Sequence, residues 1–165
     1  MQRSIKFLVI LFVILLNPLA SFAQKESPAI KELSKGADVI VTGKVTQKKS
    51  AWNENKTRIY TRASIQVDEY LKGKSQVNSV EIIYPGGEVG NVGEIYTHMP
   101  SFENNEEVLV FLKKDRKNNF FRVFNGEDGK ITVLDDKKTG QKVTTSNVSL
   151  NSIKAEIKNH IPSNK

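Results

Sequence analysis

Few residues of this 165-residue chain are of the types that do chemistry, and they are thinly spread. There are two histidines and no cysteine, so thiol nucleophiles and thiolate metal sites are excluded at the outset. His98 sits in Tyr96-Thr97-His98-Met99-Pro100, with Glu94 and Glu103 close in sequence. One imidazole flanked by carboxylates is the minimum for a general base or a weak metal ligand, but it lacks the multiple-histidine spacing of a zinc site. His160 falls near the end of a helix-patterned segment, where a cation complements the helix dipole. The pairs Asp68-Glu69 and Asp135-Asp136 stand at strand ends, and neighbours on an extended chain point to opposite faces, so neither pair by itself forms a two-carboxylate hydrolytic site. Pro85-Gly86-Gly87-Glu88-Val89-Gly90 has the glycines of a phosphate loop without its Gly-Lys-Ser/Thr ending or a following helix, and reads as turn chemistry. Glu127-Asp128-Gly129 lacks the further ligands of a calcium loop and reads as a hairpin turn. The expectation is a protein without catalytic, metal or cofactor residues, and not an enzyme.

What remains are residues suited to holding a partner. From Gly86 to Phe102 the chain is punctuated by glycine and proline and carries Glu88, Tyr96, His98 and Phe102; long loops on a rigid frame are where binding function concentrates. Trp52, the only tryptophan, stands in a polar stretch from Gln47 to Lys56 that reads as a second long loop. There it serves as a partner anchor or as a lid on the core. Trp52, Tyr60 and Tyr96 would also offer stacking surfaces for a saccharide or another small ligand, which is the rival reading. Nucleic acid is not an expected partner, although Lys44, Arg58, Tyr60 and Arg62 share an outward face of the first predicted hairpin.

Positioning these residues falls to elements that the hydrophobic period marks. Ser27-Pro28, Ile30, Leu33 and Gly36 predict a short helix over 28–35. The period then drops to two in 38–45, with Gly43 a bend or bulge, and again in 59–67; the two predict an antiparallel hairpin. Val80-Glu81-Ile82-Ile83-Tyr84 predicts a third strand, and Glu94 to Thr97 a short one. Val108-Leu109-Val110-Phe111-Leu112 is apolar throughout, so that strand is covered on both faces. Residues 120–124 and 130–134 predict two strands joined by a tight hairpin at Asn125 to Gly129. Leu150, Ile153, Ile157 and Ile161, with Ser149 as cap and Pro162 as stop, predict an amphipathic C-terminal helix.

The N-terminus predicts export. Arg3 and Lys6 precede ten apolar residues, Phe7 to Leu16, and Ser21-Phe22-Ala23 supplies small residues for cleavage after Ala23. The run is about half of the ~20 residues that span a bilayer, so no stable anchor is expected, and Gln24 would start a mature secreted or periplasmic chain. Its 142 remaining residues suit one domain. The net charge of +7 falls to +5 with the leader's two cations, a mildly basic surface that favours solubility or an anionic partner such as a cell-surface polymer.

Five or six short antiparallel strands with a helix at each end predict a mainly β fold, a small closed or nearly closed barrel of the oligonucleotide/oligosaccharide-binding type over residues 37–134, with 24–36 and 135–165 as flanking helical segments. A β-sandwich is the competing architecture. In order, Ala37 to Val45, Ile59-Tyr60-Thr61 leading to Val67 through Gly73, Val80 to Tyr84 with glycines after it, and Glu106 to Leu112 resemble the netrin-like domain of tissue inhibitors of metalloproteinases. The resemblance implies a five-stranded barrel that binds other proteins outside the cell, with proteases among the partners. That family's zinc-directed N-terminal cysteine and its disulfides have no counterpart in a chain without cysteine. The implied fold thus comes without the family's inhibitory mechanism.

Overall fold

Alternation of apolar residues sets the first strands. The computed structural model describes residues 28–73, 77–116, 118 and 120–161. It begins with helix α1 (Pro28–Gly36), followed by strands β1 (Val39–Trp52), β2 (Ile59–Lys72) and β3 (Ser79–Pro85). A small hairpin, β4 (Gly87–Val89) and β5 (Val92–Glu94), opens the long connection to β6 (Glu107–Lys114). Strand β7 (Phe121–Val123), a 3-10 turn (Gly126–Gly129), β8 (Lys130–Asp135), β9 (Lys142–Thr144) and helix α2 (Leu150–His160) follow. The expected leader and its cleavage point, the expected helix cap Ser27 and stop Pro162, and residues 24–26 and 163–165 all lie outside the described residues. Among the described residues no helix is long and apolar enough to cross a membrane.

The strands close on themselves. β1 pairs with β2 on one edge and with β6 on the other, and the ring β1-β2-β3-β7-β6 makes a five-stranded barrel. Every pairing in the ring is antiparallel except that of β3 with β7, a parallel seam formed, among the described residues, by the pair Ile82 and Phe121. To serve two neighbours β1 must bend, and it does so at a bulge between Thr42 and Gly43. A Cβ on Gly43 would sit 2.2 Å from the Gln66 carbonyl oxygen, so β2 packs directly on bare backbone there.

β6 is apolar at successive positions because both its faces are buried. Val108, Val110 and Leu112 point into the barrel with Val41, Val45, Ala63, Ile65 and Ile82. Leu109 and Phe111 point outward, under the two helices, with Ile30, Leu33, Ile40, Ile153 and Ile157. Each large side chain so buried contributes about 1.5–3 kcal/mol. The last carbonyls of α1 are satisfied by Lys72, whose ammonium donates to the oxygens of Ser34 (2.8 Å), Lys35 (3.1 Å) and Ala37 (2.6 Å). Ser149 occupies the N-cap of α2 but makes no side-chain capping bond.

Three expectations are corrected. The short strand expected at 94–97 lies earlier, at Val92–Glu94, where it pairs with β4. The segment 47–51 is strand, not loop: β1 continues to Trp52, which pairs with Ile59, leaving only residues 53–58 as the turn. Residues 120–124 and 130–134 do not form a hairpin with each other. Both run the same way along the same edge of β6, where Leu112 faces Val123 and Val110 faces Lys130, so two residues of β6 answer to seven of their neighbour. β7 and β8 are one barrel strand interrupted by the 3-10 turn, and Gly129 is pressed so close to the Phe124 carbonyl that no side chain would fit.

Candidate functional site

The inner faces of β1 and β2 run on past the barrel core, and there their side chains change from apolar to polar. Lys48 and Ser50 of β1, Thr61 of β2 and Tyr84 of β3 line a groove of about 780 Å³, whose far wall is the connection with Glu88, Gly93, Glu94, Ile95, Tyr96, Met99 and Glu103. That volume lies within the range of ligand sites. The groove is partly open to solvent, and Phe102, between its lining residues Ser101 and Glu103, is not itself part of the lining.

Hydrogen bonds fix the wall from its first residue to its last. Thr61 donates its hydroxyl proton to the Gly86 carbonyl at 2.6 Å, so in its 2.8 Å contact with Ser50 it must accept, and Ser50 donates. Gly87 has φ 124° and lies against both hydroxyls; a Cβ would be 2.2 Å from that of Thr61 and 2.3 Å from that of Ser50. The Glu94 carboxylate accepts from the Ile59 backbone N–H and from the Tyr96 hydroxyl, each at 3.0 Å. That carboxylate holds the Tyr96 phenol above its ordinary pKa, while Arg58 sits 5.9 Å over the same ring. Burial likewise pushes the Tyr84 phenol up.

At the other end, Lys130 is the anchor. Its ammonium bonds the Ser101 carbonyl, pairs with Glu106 at 2.7 Å and lies 4.9 Å over the Phe102 ring. Glu106 also accepts from the Thr132 hydroxyl at 2.6 Å and from the Glu103 backbone N–H at 3.0 Å. Burial pushes the Glu106 carboxyl up, but Lys130, Thr132 and the Glu103 N–H together outweigh it and hold its pKa below the ordinary value. Across the groove Lys48 pairs with Glu103 at 2.7 Å, which raises the lysine's pKa.

The residues expected to bind a partner do not all meet here. Glu88 and Tyr96 line the groove. Phe102 does not face a partner: it is 0% exposed, packed against Tyr84 at 5.5 Å between ring centres, and belongs to the barrel core. His98 lies outside the lining, with φ 62° and its side chain 81% exposed. Its ring nitrogen is 3.1 Å from Glu127, and its carbonyl accepts the Glu127 N–H at 3.0 Å, so it ties the connection to the 3-10 turn. Trp52 and Tyr60 also lie outside the lining, Trp52 at the end of β1 and Tyr60 on the outward face of β2 beside Pro85. The aromatic trio required for sugar stacking is therefore not assembled in the groove.

Sequence reasoning missed Lys48, Ser50 and Thr61, and one signal pointed to them. Between Lys74 and Lys113 there is no lysine or arginine but six glutamates, whereas residues 44–62 hold six cations and one glutamate. Two stretches of such opposite charge belong side by side, as the Lys48–Glu103 and Arg62–Glu81 pairs place them. The chain matches no protein-family model and no curated protein sequence.

Proposed function

We propose that this chain is an exported, non-enzymatic binding module that engages another extracytoplasmic protein through the groove and its lip. The observation that carries the reading is Ile95: a large apolar side chain, 98% exposed, on a wall that is hydrogen-bonded at both ends. An exposed isoleucine held by a pre-ordered wall suits recognition, because little entropy is lost when a partner covers it. The polar groups around it are engaged with one another, Lys48 with Glu103, Thr61 with Gly86 and Ser50, and Glu94 with Ile59 and Tyr96, which favours holding over bond-making. The closed ring is compatible with the oligonucleotide/oligosaccharide-binding type of barrel, and with the netrin-like resemblance that makes a protease a partner to test first. Export rests on the leader, with the mature chain starting at Gln24.

The test is affinity capture. Protein expressed from the full-length chain is recovered outside the cytoplasm, its intact mass is checked for a start at Gln24, and it is coupled to beads. These are exposed to the source organism's exported fraction beside beads carrying Ile95→Asp. One partner in stoichiometric amount on the first column and absent from the second is the expected result. Identical columns, or none retained, overturn the reading.

A further inference from the structure

We infer that the segment this groove accepts is an extended stretch of a partner protein carrying lysine or arginine side chains; the inference rests on the binding-module reading and names the partner's chemistry. It begins from Gly93. This glycine lies in β5 directly opposite Glu88 of β4, and its backbone does not need glycine: its φ is not left-handed and a Cβ would meet nothing nearer than Glu88 Cγ at 3.5 Å. Glycine in a strand with no internal reason for it leaves main chain bare for another backbone to approach. Gly86 and Gly87 also line the groove, but their glycine is required internally, by positive φ and by close contact with Glu94, Ser50 and Thr61, so the open backbone is that of Gly93.

Charge sets the rest. Glu88, Glu94 and Glu103 line the groove against a single cation, Lys48, which Glu103 already holds. The Glu88 side chain is in no close ion pair or side-chain hydrogen bond among the described residues and acts on Lys48 only through its field, and it shares a face with the bare Gly93. No three acidic or imidazole groups among the described residues gather closely enough to hold a metal ion, so the negative charge is spread along the groove. Glu94 is held by the Ile59 N–H and the Tyr96 hydroxyl and Glu103 by Lys48, so Glu88 is the carboxylate left to meet a cation borne on a chain. Ile95 and Met99 line the same groove and offer apolar contact to a side chain beside that cation.

Two capped pentapeptides, Gly-Lys-Leu-Lys-Gly and Gly-Glu-Leu-Glu-Gly, titrated into isotope-labelled protein expressed from the full-length chain test this. The lysine peptide is expected to shift the amide resonances of Gly86, Gly87 and Gly93, with an affinity that falls as salt rises. The glutamate peptide is expected to leave them in place. Glu88→Gln should weaken the lysine peptide about three- to fivefold, as for one solvent-accessible ion pair, and Gly93→Val should abolish the shifts while the remaining spectrum stays that of the folded protein. Equal shifts from both peptides, or none from either, overturn the inference. The captured partner gives a separate arm: if Ile95→Asp releases it while Glu88→Gln and Gly93→Val retain it, the binding module stands and the cationic segment falls; if all three retain it, both fall.

Discussion

The flank under the helices and the groove end share strand β1 and are built by opposite means. Under α1 and α2, Leu109, Phe111, Ile40, Ile153 and Ile157 exclude water and form a continuous apolar layer. At the groove end, β1 and β2 present Lys48, Ser50 and Thr61, and the wall facing them is held by hydroxyls, carboxylates and one half-buried lysine. Apolar packing is insensitive to direction, whereas each hydrogen bond at the groove fixes one atom in place. The difference teaches that stability and shape are assigned to different ends: the flank holds the fold, and the groove holds a geometry.

Phe111→Ala is the harshest break in that division. It removes a fully buried ring from the flank and should cost about 3–5 kcal/mol, read as a lower midpoint in denaturant, while the groove of the remaining folded protein keeps its partner. Lys130→Met comes next, at about 3 kcal/mol, because it strands Glu106 in a half-buried site and frees Ser101. Here the sign with pH is fixed: the Glu106 carboxyl has a lower pKa folded than unfolded, so its contribution is complete above its ordinary value of 4.5 and is lost as pH falls through the lower folded value. Stability of the parent should drop over that acid range, and Lys130→Met should drop less steeply. Lys72→Met, which uncaps α1, should cost about 1 kcal/mol and raise amide exchange in 33–37 only. Smallest is Ile95→Asp, within about 0.5 kcal/mol of the parent in thermal unfolding, since its side chain touches solvent and not the core. A large loss from that substitution would mean that the lip supports the fold after all.

The flank was more legible in sequence than the groove, and for a physical reason. Buried surfaces print their period on the chain: β2 alternates from Ile59 to Ile65, β6 is apolar on both faces, and α2 repeats Leu150, Ile153 and Ile157. The groove-lining half of β1 buries no apolar face, so Gln47 to Ala51 carry no alternation and read as loop. The β7–β8 pair misled differently. Asn125 and Gly126, both near φ 61°, have the left-handed pair of a tight hairpin turn, but β6 still offered unpaired backbone, and the chain passed through the 3-10 turn to continue along it. Of the residues expected to bind a partner, Glu88 and Tyr96 line the groove, whereas Phe102 is drawn inside, because an apolar ring between a serine and a glutamate says nothing of which side the wall presents.

The seam between β3 and β7 has a consequence for motion. Among the described residues one pair, Ile82 with Phe121, joins these strands, whereas β1 and β2 share a ladder that runs nearly their whole length. Opening that joint costs the least backbone bonding of any joint in the ring, so the barrel behaves as a clasp whose hinge is the long β1–β2 ribbon. Amide exchange is therefore expected to be fastest along that one line, beside Ile82 and Phe121, and slowest along the β1–β2 ladder.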